Sequence, residues 1–383
     1  MGIYLDYNAT TPIDKRVLDY MVDVYTNNYG NADSRTHDYG DGARKIVEKA
    51  RKDVASLLGV DSTEVFFTSG STESSNIAIR GLIDYANATG KKHVITTSIE
   101  HKAVLETVKS LKKDGFTVDI VDPEADGRVD AQKILGLVRE DTLLVSVMHA
   151  NNETGVIQPI REIGDGLAEN GIFFHIDATQ SCGKLVEELR ATKYNMLSIS
   201  AHKFNGPQGI GALVLRKKKY KLPPVKAITY GGQQEHGIRP GTIPVALVAG
   251  LGKACEIAAL EHKTNYSHCI EIKNAVKSLI EESGLEYTYN GNQEYCMPNT
   301  INVSFKGVES EALMISSKQY CGISNGSACT SSDYSPSYVL TAMGIDKDTI
   351  SSAIRISWGS DSDIDAIKEN VMELITVAKG LTF

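Results

Sequence analysis

A lysine in a setting suited to covalent chemistry stands at position 203. Lys203 follows an apolar stretch predicted to form a strand, and a Gly-Pro turn begins at Gly206. A lysine that reacts with a carbonyl cofactor needs this rigid support and partial desolvation, which lowers its pKa. A lone lysine is more commonly a solvated surface residue, so the interpretation depends on its neighbours.

A carboxylate and a small-residue turn strengthen that interpretation. Asp177 ends the apolar stretch 172–176, where a buried carboxylate needs a partner. The protonated ring nitrogen of pyridoxal 5'-phosphate (PLP) is one such partner, and a helix N-cap is the plain alternative. Residues 66–73 read as strand, turn and helix start, where backbone N–H groups and the hydroxyls of Ser71 and Thr72 bind phosphate. A capped helix is again the alternative, but the order of the three elements favours PLP chemistry.

One of the six cysteines stands apart from the rest. Cys329 lies in a small, polar, Gly-containing run at 323–333, which predicts a loop and a functional thiol. The others have apolar or helical surroundings and are predicted to be buried thiols, with Cys321 on a strand that leads into the loop. None of the six forms a C-x-x-C pair, so no metal site is expected.

Composition excludes several classes of protein. The formal net charge of −8 argues against a surface that coats nucleic acid. The basic cluster at 216–221 follows a predicted strand and reads as a solvated loop, so no direct nucleic-acid binding is expected. No run has the pattern of a signal peptide or the length of a membrane span. A cytoplasmic protein without membrane contact is the expectation.

The elements that position these residues alternate between strands and helices. Strands are predicted at 64–68, 93–97, 143–148, 172–176, 196–200 and 211–215, with helices starting near Thr72 and His101. This alternation predicts an α/β fold whose mostly parallel central sheet is covered by helices. After Pro244 a long helix, strands at 299–305 and 352–357 and a last helix at 361–379 predict a smaller α+β domain. We expect a large PLP-binding domain at 12–260, and a small domain formed by 1–11 and 261–383 that carries the cysteine loop.

Ten stretches of the chain resemble cysteine desulfurases of the NifS/IscS type, which belong to the class V aminotransferases and have the fold-type-I PLP architecture. They occur in consistent order from residue 4 to residue 357: 4–12, 30–31, 67–73, 100–103, 151–153, 177–180, 202–203, 239–242, 326–329 and 354–357. The chain departs from the family pattern at Ala32, at Gln233 and Gln234, and at Pro240.

The resemblance implies a role for each matching residue. Those at the cofactor are Lys203, which binds it covalently, Asp177 at the ring nitrogen, Gln180 at the phenolic oxygen, His101 stacked on the ring and shuttling protons, and Ser71, Thr72, Ser200 and His202 at the phosphate. Asn152 and Arg355 hold the substrate carboxylate, Asn152 also borders the cofactor, and Asn31 belongs to the substrate site. Thr242 reaches the phosphate of the other subunit's cofactor, which implies a homodimer with its active site at the interface.

The implied activity is conversion of L-cysteine to L-alanine. Sulfur is captured as a persulfide on Cys329 and passed to a protein acceptor, in iron–sulfur cluster assembly or nucleic-acid thio-modification. The chain ends at Phe383, soon after the last predicted helix, whereas the iron–sulfur enzymes usually have a longer C-terminal extension that docks a scaffold protein. We therefore leave the acceptor open.

Three other functions are compatible with the sequence. An aminotransferase on the same fold does not need Cys329 and would turn over with a keto acid. A selenocysteine lyase would prefer selenocysteine to cysteine. A non-catalytic sulfur-relay or scaffold protein would bind PLP for structure alone and form no alanine.

Overall fold

The structure is a computed structural model and describes residues 2–325 and 336–382. Its strands are β1 (Ile3–Tyr4), β2 (Val65–Thr68), β3 (His93–Thr97), β4 (Thr117–Val121), β5 (Thr142–Met148), β6 (Phe173–Asp177), β7 (Met196–Ser200), β8 (Gly211–Leu215), β9 (Tyr287–Tyr289), β10 (Thr300–Phe305), β11 (Cys321–Gly322) and β12 (Ala353–Ser357). Its α-helices are α1 (Lys15–Asn27), α2 (Asp38–Leu58), α3 (Ser71–Arg80), α4 (Ile83–Thr89), α5 (Lys102–Ser110), α6 (Ala131–Gly136), α7 (Ile160–Leu167), α8 (Val186–Ala191), α9 (Val245–Glu281), α10 (Ser310–Ser317), α11 (Tyr338–Ala342), α12 (Lys347–Ser351) and α13 (Ile364–Leu381).

A seven-stranded sheet forms the centre of the molecule, in the order β2-β8-β7-β6-β5-β3-β4. The strands are parallel except for β8, which runs antiparallel to both of its neighbours. Every residue of β5 and β7 is buried, as expected for strands covered by helices on both faces. The predicted α/β fold with a mostly parallel sheet is confirmed.

The carboxyl ends of the central strands meet at one edge of this sheet. Met148 is paired with Asp177, and Ser200 and Thr68 are both paired with Gly211 at the start of β8. In an open α/β sheet this edge is where ligands bind. Side chains far apart in the sequence are therefore brought to one place.

A second, smaller module packs around an antiparallel sheet of order β12-β10-β9. Its hydrophobic core combines Leu5 and Trp358 with apolar residues of α10, α13 and the second half of α9. The indole Nε1 of Trp358 donates to the Cys269 carbonyl at 3.1 Å, which satisfies the polar atom of the largest buried side chain. The module thus has a core of its own.

Helix α9 connects the two modules. It has 37 residues and is therefore about 55 Å long. Its first half, up to Ala258, packs in the core around the central sheet, whereas Cys269 to Ile280 pack in the smaller core. Val339 and Leu340 of α11 also pack in the larger core. The division into domains at residue 260 stays a prediction.

None of the helices in the described part of the chain is long and apolar enough to cross a membrane.

A buried ion pair fixes a strained turn beside the sheet. Glu235 and His236 have positive φ angles of 49° and 57°, which side chains with a Cβ rarely adopt. The carboxylate of Glu235 accepts from Arg51 Nη1 at 2.8 Å and Nη2 at 2.7 Å, and from Phe67 N at 2.7 Å. Because only 9% of the Arg51 side chain and 2% of that of Glu235 are exposed, neither charge has water as an alternative partner.

We expect Glu235→Gln to lower the free energy of unfolding by about 3 kcal/mol, because the buried Arg51 loses its bidentate partner and keeps only the half-exposed Glu48 carboxylate at 3.3 Å. The matched control is Glu286→Gln, which breaks an ion pair with Lys306 whose side chains are each 72% exposed. The control should cost less than about 1 kcal/mol. Urea titration followed by circular dichroism measures both, and equal losses would contradict the role given to burial.

Candidate active site

A cavity of about 470 Å³ lies at the carboxyl edge of the central sheet. This volume suits a cofactor-sized molecule. Its lining includes ten of the residues predicted from the sequence: Ser71, Thr72, His101, Asn152, Asp177, Gln180, Ser200, His202, Lys203 and Arg355. The structure therefore brings together groups that are up to 284 positions apart in the chain, from Ser71 to Arg355.

Lys203 ends a short 3-10 turn, 201–203, that follows directly on β7. Its Nζ donates to the carbonyl oxygens of Asn8 at 2.7 Å and Ala9 at 2.6 Å. These two carbonyls hold the amino group at the cavity. The segment around Asn8 is thus the structural support of the lysine.

Asp177 is buried at the end of β6 and has a defined hydrogen-bond environment. Its Oδ1 accepts from Thr179 N at 3.0 Å, from the Thr179 hydroxyl, and from Ser71 Oγ at 3.3 Å. These bonds fix the orientation of the carboxylate, which is what a partner for a protonated ring nitrogen requires. Ser71 Oγ is consequently engaged with Asp177 and also accepts from Thr179 at 2.6 Å.

The N-terminus of α3 opens onto the same cavity. Its N-cap is Gly70, and no side chain caps the first turn. Free N–H groups and the positive end of the helix dipole form a site for an anion such as phosphate. Gly211 allows the turn to lie close to β8, because a Cβ there would stand 2.7 Å from Gly70 Cα.

Two histidines border the cavity, and both have lowered pKa values. Burial lowers the pKa of His101, and its Nδ1 accepts from Ala103 N at 3.1 Å. A neutral ring with Nδ1 as acceptor carries its proton on Nε2. Burial and the neighbouring Lys203 lower the pKa of His202 to about 4, and its Nδ1 lies 3.1 Å from Thr10 Oγ1. Both rings are therefore neutral at pH 7.

Arg355 comes from β12 in the smaller module and reaches the same cavity. Its Nη1 donates to the Asn152 carbonyl at 2.8 Å, and its Nη2 pairs with the Asp6 carboxylate at 2.5 Å. Its Nε has no hydrogen-bond partner among the described residues. The guanidinium is thus positioned with donor capacity left for a ligand.

Unmatched polar atoms test whether the residues present fit PLP and an amino acid. Gln180 Oε1 and Asn152 Oδ1 are buried without a hydrogen-bond partner in the described chain, as is Arg355 Nε. Buried polar groups are normally satisfied, so several together indicate a missing ligand. The uncapped N-terminus of α3 suits a phosphate, the buried Asp177 suits a protonated ring nitrogen, and Arg355 suits a carboxylate. The residues present therefore fit PLP and an amino acid.

A buried carboxyl group lies beneath the site. Burial raises the pKa of Glu100 to about 8, so this group is protonated at pH 7. Its Oε1 accepts from Met148 N at 2.8 Å and from Thr97 Oγ1 at 2.7 Å. The neutral form avoids a second negative charge near Asp177 in a region of low dielectric.

Three predicted residues are not brought to the cavity by the described structure. Asn31 and Thr242 are exposed and do not belong to its lining, so their roles stay predictions. Cys329 lies outside the described residues.

Other residues of the site were not assigned a role from the sequence. Asn8 and Asp6 hold Lys203 and Arg355, and Thr179 holds Asp177. The resemblance did include residues 4–12 and 177–180, so the signal was present. Asn8 acts through its backbone carbonyl, however, and such a contact does not depend on residue type. It could be identified only from the folded structure.

Comparisons with known proteins agree with this geometry. The family model described as aminotransferase class-V matches residues 3–369. The cysteine desulfurase IscS of Anaeromyxobacter dehalogenans (strain 2CP-C) is 45% identical over 359 residues, which cover 93% of this chain and 87% of that protein.

Two solved structures are also similar. A NifS-like protein superposes with a TM-score of 0.91 at 35% identity, and the match covers 100% of both chains. A structure described as SspA in complex with cysteine gives a TM-score of 0.81 at 34% identity over 93% of this chain and 98% of that one. The chain therefore belongs to the class V aminotransferase family, in the group that contains the cysteine desulfurases.

Proposed function

We propose that this protein is a PLP-dependent cysteine desulfurase, which converts L-cysteine to L-alanine and passes the sulfur to a protein acceptor. The observation that carries the proposal is the meeting of Lys203, Asp177 and Arg355 at one cavity. A lysine and an aspartate suit PLP, and an arginine beside them suits the carboxylate of an amino acid.

The cofactor is held by groups from the carboxyl edge of the sheet. We assign the phosphate to the N-terminus of α3 with Thr72, Ser200 and His202, the ring nitrogen to Asp177, and the phenolic oxygen to Gln180. When bound, PLP draws electrons away from the α-carbon of the substrate and so stabilises negative charge there.

Lys203 is the proton-transfer group in this proposal. Its Nζ would hold PLP covalently and, once free, would accept the α-proton of the substrate. The carbonyls of Asn8 and Ala9 keep the free Nζ at the cavity. We assign to His101, which is neutral and protonated on Nε2, the roles of stacking on the ring and relaying a proton.

Arg355 and Asn152 orient the substrate. A guanidinium binds a carboxylate through parallel hydrogen bonds, which fixes the plane of the amino acid relative to the ring. Asn152 Oδ1 lacks a partner among the described residues and is available to the substrate amine or the cofactor. The orientation brings the α-proton toward Lys203.

Sulfur transfer is assigned to Cys329, which the sequence sets apart from the other cysteines. Its thiolate attacks the substrate sulfur, the substrate Cβ–S bond breaks, and the carbon takes up a proton. The products are alanine and a persulfide on Cys329, so one thiol and one cysteine give one alanine and one persulfide. The described cysteines are all buried thiols and are unsuited to this task.

We further propose a homodimer with the active site at the subunit interface. Tyr29 and Tyr39 are 67% and 58% exposed and stack with ring centroids 5.6 Å apart, as in an apolar patch that a partner covers. Gln234 joins this patch to the segment of Thr242, because it donates to Asp33 at 2.8 Å and accepts from Gly241 N at 3.0 Å. These bonds connect the segment that contains Thr242 with the loop that follows Tyr29, which supports a shared interface.

The remaining assignments follow from chemistry. Unpaired thiols suit the reducing cytoplasm. The acceptor belongs to iron–sulfur cluster assembly or to nucleic-acid thio-modification. We assign the cysteine loop to a small domain formed by 1–11 and 261–383.

Cys329→Ser should keep PLP bound and abolish formation of alanine from cysteine, because serine cannot accept sulfur. Cys321→Ser is the matched control. Cys321 is only 1% exposed, and burial raises its thiol pKa to about 11, so this variant should keep its activity. The visible spectrum reports the cofactor and amino-acid analysis reports alanine. Wild-type alanine production by Cys329→Ser would remove the residue from the mechanism.

Asp6→Asn should raise KM for cysteine about tenfold, equivalent to about 1.4 kcal/mol, and change kcat less, because Arg355 loses the carboxylate that orients it. Glu286→Gln is the control, since Glu286 pairs with Lys306 and both side chains are 72% exposed. Steady-state kinetics separates the two constants. An unchanged KM in Asp6→Asn would show that the Asp6–Arg355 pair does not prepare the substrate site.

We expect the protein to be a dimer, with twice the 41.6 kDa mass of the chain. In this dimer Thr242→Val should weaken PLP binding about tenfold, because a hydrogen bond to a charged phosphate is lost. Thr376→Val on α13 is the control, since its hydroxyl donates to the Met372 carbonyl within its own helix. Sedimentation gives the mass and a fluorescence titration gives the affinity. A monomeric protein with unaltered affinity would refute the shared site.

A further inference from the structure

A second cavity of about 470 Å³ lies between the two modules. Its walls come from the first turn of α1, the middle of α9, the loop before α8, and residues 358–361 after β12. Nothing in the proposed reaction uses this space. It has the volume of a metabolite-binding site, and its position between two cores is typical of such sites.

This second cavity shares a wall with the cofactor cavity. Phe204 and Asn205 line the second cavity, whereas the adjoining His202 and Lys203 line the first. Thr11 links the two linings by hydrogen bonds. Its N donates to His202 O at 2.9 Å, and its Oγ1 accepts from Asn205 N at 2.8 Å. A ligand in the second cavity would therefore press on the segment that carries Lys203.

Within the described residues, the half-buried Lys184 is the one cation of this lining whose charged atom is shielded from solvent without an ion-pair partner. Its Nζ is shielded from solvent and has no hydrogen-bond partner there. The thiols of Cys182 and Cys269 lie near Lys184, and burial raises the pKa of each to about 12, so they are neutral. Burial lowers the pKa of Lys184 to about 8, and an anion beside its Nζ would favour the charged ammonium.

The other cations at the cavity are paired. Arg16 binds Asp14 at 2.7 Å and Glu261 at 2.6 Å, and Lys15 binds Asp19 at 2.7 Å. A buried unpaired ammonium destabilises the fold, whereas an anion beside it removes that cost. Four rotatable bonds let the Lys184 side chain turn its Nζ from the thiols toward the cavity.

A second unmatched atom lies in the same wall. Asn299 is 3% exposed, and its Nδ2 donates to the Trp358 carbonyl at 3.3 Å, but its Oδ1 has no partner among the described residues. The cofactor cavity has the same signature, since Gln180 Oε1 and Asn152 Oδ1 are unmatched there. The likeness extends to the cavity volume.

The rest of the lining defines the chemical class of the occupant. Ala254, Ile257 and Ala258 of α9, with Phe204 opposite, form an apolar surface. We propose that the second cavity binds a small organic anion, with its carboxylate or phosphate on Lys184 and its apolar body against α9. Such a ligand satisfies both the charge and the apolar wall.

Calorimetric titration of the PLP-loaded enzyme tests this site with three probes of equal chain length. Hexanoate and hexyl phosphate carry the two anionic groups, and hexanamide is the uncharged control. We expect at least one of the two anions to bind. Lys184→Met should raise the Kd of that anion about tenfold or more. Binding of hexanoate alone assigns a carboxylate, and binding of hexyl phosphate alone assigns a phosphate.

Lys193→Met is the matched control, because Lys193 is 64% exposed and pairs with Asp165 at the surface. It should bind the probes like the wild type. Both variants keep Arg355, so any difference between them reports on Lys184 and not on the substrate site. Lys184→Gln serves as a second neutral variant if the methionine does not fold.

Three results would overturn the proposal. The first is no binding of either anion at about 50 mM, far above a millimolar Kd. The second is equal affinity in Lys184→Met and Lys193→Met. The third is binding of hexanamide as tightly as the anions, which would mean that the apolar wall alone attracts the probe.

Discussion

The backbone carbonyl of Asn8 is the contact on which the site depends. It accepts from Lys203 Nζ at 2.7 Å and from Gln180 Nε2 at 2.9 Å, both on loops of the central sheet. The Asn8 side chain donates to the Asn152 carbonyl at 3.1 Å and to Thr300 Oγ1 at 3.0 Å, the latter in the smaller module. One residue thus fixes the lysine relative to the module that carries Arg355. The carbonyl therefore orients the amino group of Lys203 by a hydrogen bond.

Hydrophobic patterning predicted the central sheet well, because buried parallel strands are short apolar runs. The strands at 93–97, 196–200 and 211–215 were predicted at their observed bounds, and the mostly parallel sheet followed from their alternation with helices. β4 was not predicted, since it lies at the edge of the sheet and is only partly buried, so its apolar pattern is weak. Apolar sequence patterns therefore predict buried strands, and they fail to predict strands that are largely exposed.

The site was predictable where residue type carries the chemistry and not where geometry does. Asp177 after an apolar strand is conspicuous, because a buried carboxylate is costly. Asp6 is an ordinary acidic residue near the N-terminus until β12 brings Arg355 beside it. The same limit applies to Lys184, whose Nζ becomes shielded from solvent only in the folded protein. Its sequence context, Gly-Lys before a helix, reads as a solvated lysine.

Two kinds of buried charge coexist in this molecule, and the contrast shows which positions are structural. Arg51 and Glu235 form a bidentate pair, and protein groups take up their remaining hydrogen bonds, so their burial fixes a turn and requires no ligand. Arg355 Nε and Lys184 Nζ are shielded from solvent and have no hydrogen-bond partner among the described residues. Because buried polar atoms are normally satisfied, a ligand is the natural partner for each of them. By this reasoning Arg355 and Lys184 mark two neighbouring sites, which share the wall formed by Thr11 and His202.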